Sequence, residues 1–185
     1  MRQPTAKILP GECYVSKTGE MIVTVLGSCI AACIRDTRLG VGGMNHFMLP
    51  VQQNHSGRSA ITAELAYGNW AMEFLVNEIL KLGGKKSSLE IKIFGGGKVL
   101  SSISNIDIGA RNIDFVKQFI ANEGMSILAE DVGSNCPRKV LYFPDTGSVK
   151  LKRLRTTANN TIQKRELEYF ETMKKKPDQG EVELF

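Results

Sequence analysis

The apolar residues of this chain change their period partway along, and that change limits the folds open to it. Residues 12 to 25 read as strand material around the turn "KTGE" (17 to 20), and residues 29 to 35 and 40 to 48 flank "DTRL". From Thr62 the spacing becomes helical, with Leu65, Ala66, Trp70, Phe74, Leu75, Ile79 and Leu82 recurring every three or four positions. Gly83-Gly84 is suited to end that helix. "LEIKIF" (89 to 94) alternates like a strand, and 109 to 123 places Ile113, Val116, Phe119 and Ile120 on one helical face. "MSILAEDVG" (125 to 133), "RKVLYF" (138 to 143) and "SVKLKRL" (148 to 154) read as strands, the last two joined by the turn "PDTG". Strands in consecutive pairs with two inserted helices predict a layered α/β or α+β domain containing hairpins, not a regular βαβ alternation.

The chain has 185 residues, enough for one well-filled core, and no apolar run long enough to span a membrane. Its start, "MRQPTAKILPGECYV", carries no long apolar stretch of the secretory kind, so a cytoplasmic location without membrane insertion is expected. Four cysteines (13, 29, 33 and 136) do not suggest a disulfide framework in that setting. The net charge of +5 is a poor partner clue, because residues 150 to 176 hold nine basic against three acidic residues and the remainder is near neutral. Nucleic acid is therefore not required. We divide the chain into a domain, 1 to 154, and a basic, helix-prone tail, 155 to 185, expected to be exposed and flexible at its end. "PVQQNHSGRS" (50 to 59) reads as a mobile loop.

One stretch carries chemistry. In "VTVLGSCIAACIRD" (23 to 36) a β-branched run breaks at Gly27-Ser28, delivers Cys29 and resumes, and ten residues on "GGMNHFMLP" (42 to 50) contains His46. A hairpin closed by Asp36–Leu39 pairs Arg35 with Gly40 and makes Cys29 and His46 direct cross-strand partners on one face. A thiol beside an imidazolium has a lowered pKa and becomes a nucleophile. Backbone N–H groups freed at Gly27-Ser28 are suited to a developing oxyanion. Against this, a cysteine in an apolar run is more often inert packing, the reading given to Cys13, Cys33 and Cys136, and periodicity alone would favour it for Cys29 too. Cys29 and Cys33 lack paired zinc spacing, so no metal is expected. Gly95-Gly96-Gly97 fits no phosphate motif and reads as a turn or bulge, and His55 as a solvated loop residue.

"TVLGSCIAACIRD" with "GGMNHFMLP" resembles the signature of CheD, the chemoreceptor glutamine deamidases, and the similarity extends through "FGGGKVL", "IGARN" and "TGSVKLKRL". The resemblance implies a layered α/β/β sandwich that needs no cofactor and hydrolyses glutamine side-chain amides of methyl-accepting chemotaxis receptors. The family's cysteine nucleophile matches Cys29, its histidine His46, and its histidine-orienting threonine Thr24. Many members also bind CheC, a response-regulator phosphatase. The chain departs from the family pattern at "DVGSNCPRKV", with Ser134 for a second glycine and Pro137 before Arg138. Two other readings use the same residues: a thiol hydrolase of receptor glutamyl methyl esters, and an adaptor that binds receptor or CheC with little catalysis.

Overall fold

The computed structural model describes residues 4–50, 58–100, 107–154 and 160–175. Its strands form two sheets. The smaller has the order β1 (Thr5–Lys7), β3 (Met21–Leu26), β8 (Arg138–Phe143), β9 (Ser148–Arg153). The larger has the order β2 (Cys13–Ser16), β5 (Val41–Asn45), β4 (Ile30–Asp36), β6 (Leu89–Gly95), β7 (Ile127–Val132). Two helices, α1 (Arg58–Lys81) and α2 (Ile108–Asn122), cover the outer face of the larger sheet, and a third, α3 (Asn160–Lys175), closes one end.

The alternation of β4 builds these layers. Ile30, Ala32 and Ile34 face the helices with Leu75, Ile79, Val116 and Phe119, whereas Cys29, Ala31 and Cys33 face the smaller sheet with Ile22, Leu26, Val140 and Tyr142. The strand is apolar at nearly every position because both of its faces are covered. The result is the expected α/β/β sandwich. Among the described residues no helix is long and apolar enough to cross a membrane.

Three expectations change. First, β2 and β3 flank the "KTGE" turn but do not pair. β2 joins β5 in one sheet and β3 joins β1 and β8 in the other, so the turn carries the chain between layers. Second, the β4–β5 hairpin exists, but Asp36 pairs with Val41 and Cys33 with Met44, which shifts the register by two residues. The buried Asp36 carboxylate accepts from the N–H groups of Arg38 (2.9 Å) and Leu39 (3.1 Å) and also from Lys85 N–H (2.8 Å). Asp36 therefore ends the strand and organises Thr37–Gly40 as the loop. An even shift preserves the face, so Cys29 and His46 become diagonal neighbours across the strands rather than direct partners. Third, α3 is not an exposed appendage, since Glu166 and Phe170 are both buried. The loop containing His55 and the chain end from Pro177 to Phe185 lie outside the described residues.

Candidate active site

The link between β3 and β4 is also a link between the two sheets, and Gly27, Ser28 and Cys29 form the corner. Each of their carbonyls is held from outside the corner. Gly97 N–H donates to the Gly27 carbonyl (2.7 Å), Asn112 Nδ2 to that of Ser28 (2.9 Å) and Gly96 N–H to that of Cys29 (2.8 Å). With the carbonyls fixed outward, the three N–H groups converge on the opposite side. The glycine run is thus a brace: Gly95 has φ +111°, and a Cβ there would lie 2.1 Å from the Cys29 carbonyl oxygen.

What fills the convergence is Glu166 of α3. One carboxylate oxygen accepts from Gly27 N–H (2.7 Å) and Cys29 N–H (3.3 Å), the other from Ser28 N–H (2.7 Å) and Ser28 Oγ (2.7 Å). A Cβ on Gly27 would approach Glu166 Oε2 to 2.6 Å, so only glycine allows the carboxylate so close. Charge-assisted bonds of this kind are the stronger class of hydrogen bond.

His46 enters from the end of β5, and its imidazole is ordered by Thr24 of β3. The Thr24 hydroxyl donates to the Ile8 carbonyl (2.9 Å), so toward His46 Nδ1, 2.7 Å away, it acts as acceptor. Nδ1 then carries the proton and Nε2 a free lone pair, and Nε2 is buried without a hydrogen-bond partner. One donor atom each of Cys29, His46 and Glu166 lie within 4.8 Å of one another. These are metal-ligand types, but both Glu166 oxygens are already surrounded by N–H and O–H donors, which is an anion's environment rather than a cation's.

The electrostatics correct one sequence expectation. Burial, reinforced by the Glu166 carboxylate, pushes the Cys29 thiol well above its ordinary pKa. Burial, and after it the positive Arg165, lowers His46 to about 3. The pair is therefore neutral thiol and neutral imidazole, not thiolate and imidazolium. The arrangement still holds a nucleophile, a base with an unpartnered lone pair, and a row of donors for a developing oxyanion.

Of the expected residues, Thr24, Gly27, Ser28, Cys29 and His46 meet at this one place. Two contributors were missed. Asn112 is buried and bridges Ser28 to Leu49, whose N–H donates to its Oδ1 (2.9 Å). It lies in "IGARN", so the motif held a signal that a polar residue on an apolar helix face should have raised. Glu166 gave none, standing among the charges of a basic tail. At the departure from the family pattern, Ser134 adopts the positive φ (71°) that a glycine would take, and its carbonyl accepts from Lys98 N–H (2.8 Å).

Comparisons with known proteins place this chain in a family. A family model described as CheD, chemotactic sensory transduction, matches residues 48–153, a span that begins just after His46. Curated relatives cover the rest. A probable chemoreceptor glutamine deamidase CheD of Saccharophagus degradans is 53% identical over 182 residues, spanning 97% of this chain and 84% of its own. Proteins of the same description from Halorhodospira halophila (49% identical, 97% of this chain, 84% of their own) and Hydrogenovibrio crunogenus (50%, 98% and 94%) agree. These alignments take in the corner at Cys29, His46 and α3 alike, and the chain belongs to the CheD family.

Proposed function

We propose that this protein is a glutamine deamidase of chemoreceptors, acting in the cytoplasm on receptor side chains through Cys29 and His46. The observation that carries this reading is the convergence of the Cys29 thiol, the bare Nε2 of His46 and the inward N–H row of residues 27–29. Because thiol and imidazole are both neutral at rest, proton transfer accompanies attack. Nε2 takes the thiol proton as Sγ bonds to the amide carbon, and the oxyanion settles on the Gly27 and Cys29 N–H groups. The imidazolium, held by Thr24, returns the proton to the nitrogen, and ammonia leaves a thioester. Water, deprotonated by His46, then releases glutamate and the thiol. The names of the curated relatives support amide rather than ester as the substrate. CheC is a further proposed partner, resting on the family resemblance and tested by co-elution.

The experiment is peptide mass spectrometry of a receptor cytoplasmic fragment after incubation with the protein, using glutamine and glutamyl methyl ester forms side by side. Conversion of glutamine to glutamate, lost in Cys29→Ala, is expected. Release of methanol alone would transfer the site to the ester hydrolase reading, and receptor binding without either product to the adaptor reading.

A further inference from the structure

A substrate glutamine and Glu166 cannot occupy the corner together. The inward N–H groups of Gly27 and Cys29, which the proposed deamidation needs for its oxyanion, are both bonded to one oxygen of Glu166. That side chain reaches them from α3, a helix seated on the domain by one face. Gln163 Nε2 donates to the Val99 carbonyl (2.9 Å), the Tyr169 hydroxyl meets that of Tyr67 on α1 (2.6 Å), and Phe170 is buried in the core between the sheets. Gln163, Glu166, Tyr169, Phe170 and Met173 follow the three- and four-residue spacing of a single helical face.

Glu166 does not serve as a third member that orients His46, because Nδ1 is already held by Thr24 and the Glu166 oxygens lie on the corner's donors. What it resembles is a reaction product. Glutamine and glutamate side chains have the same length and shape, and a carboxylate resists attack by a thiol because it would have to expel oxide. Such a side chain can lie against Cys29 without being consumed.

We propose that α3 is a built-in pseudosubstrate helix: Glu166 occupies the subsite for the substrate's side-chain acyl group, and the site opens only when α3 is displaced. This rests on the deamidase reading for the identity of the subsite, though not for its blockage. The seat is suited to exchange. Apart from Ile162, Leu167, Tyr169, Phe170 and Met173 the helix is polar, and its sixteen residues are little more than the length below which isolated helices are marginal in water. An incoming segment that presents a glutamine with a comparable apolar neighbour would compete for the same groove. Through mass action, its local concentration would decide whether α3 stays down.

The test uses the full chain and two readouts. The first is alkylation of Cys29 by iodoacetamide, followed by peptide mass spectrometry, with the buried Cys33 as internal reference for general unfolding. Glu166→Ala and Phe170→Ala are expected to accelerate Cys29 alkylation at least about tenfold, since access and thiolate character both rise, while Cys33 stays protected. Unchanged Cys29 rates in both variants would overturn the proposal. So would exposure of Cys33 in step with Cys29 in both.

The second readout is Glu166→Gln, which keeps the side chain's shape. Its amide carbon should be attacked by Cys29 in cis, lose ammonia and, after hydrolysis of the thioester by water, become glutamate. The double variant Cys29→Ala/Glu166→Gln should keep its amide. Persistence of the introduced amide in a Glu166→Gln protein that converts receptor glutamines would overturn the pseudosubstrate pose. Suppose instead that Glu166→Ala releases Cys29, yet receptor glutamines and the amide of the Glu166→Gln variant both stay intact. That outcome would confirm the plug and refute the deamidase reading.

Discussion

Cys29 and Cys33 sit four residues apart at one face of the same sheet, both fully buried, and both thiols are held above their ordinary pKa chiefly by burial. Burial does not distinguish them; their surroundings do. Cys33 lies in the middle of β4, packed between the sheets with Met44 and Tyr142. Its backbone is spent on the ladder with Met44 and Lys92. Cys29 precedes the strand, where the corner frees its N–H, and it lies near a histidine whose Nε2 has no hydrogen-bond partner. On the proposed mechanism a reactive cysteine is made by interruption of the ladder, and the same residue type one stretch further along the strand is packing.

The largest expected effect separates the two thiols. Cys29→Ala should lower receptor deamidation by about 10⁴-fold or more, the scale seen when a nucleophile is removed, with an unchanged circular dichroism spectrum. Comparable loss in a folded Cys33→Ala variant would break the comparison.

His46→Ala should lower turnover by about 10²–10⁴-fold, the scale of a general base. His46 also gives a pH signature. Its pKa falls from 6.5 to about 3 on folding, so the unfolded chain binds the extra proton first as pH drops. The stability contributed by a neutral His46 is therefore complete above pH 6.5 and is lost toward pH 3, by an amount of order a few kcal/mol. Denaturant melts between about pH 4.5 and 6.5, above the carboxylate range, should show the decline in the wild type. In His46→Gln the slope should flatten, and an equal slope in both would mean that the imidazole is not buried neutral.

Thr24→Val keeps the shape but removes the acceptor for Nδ1, and the resulting freedom of the ring should cost about 10²-fold in kcat. Thr24→Ser should restore most of it, and a Val variant as active as wild type would show that the ring is ordered by something else. The smallest effect belongs to Cys33→Ala: near wild-type kcat with a stability loss of about 1 kcal/mol, read from the denaturation midpoint.

Much of this was legible from local pattern. The face that unites Cys29 with His46 follows from strand alternation, and a register error of two residues leaves it intact. Residue counting alone does not fix the register, because Asp36 selects the closing pair through side-chain bonds to the N–H groups of Arg38, Leu39 and Lys85. The partition of β2 and β3 into different sheets was not legible, since a four-residue turn between strand-like runs is the same signal whether or not the strands pair. Glu166 was hidden for a further reason. In sequence it is one of three acidic residues within a basic run, and only the fold shows that it turns inward, 137 positions after the cysteine it covers.

The most direct test of the central claim is acid quenching during turnover of a receptor fragment, followed by peptide mapping of the protein for an acyl group. A thioester on Cys29, absent from Cys33 and from the Cys29→Ala protein, is the predicted result. An acyl group on Cys33, or undiminished turnover by Cys29→Ala, would contradict it.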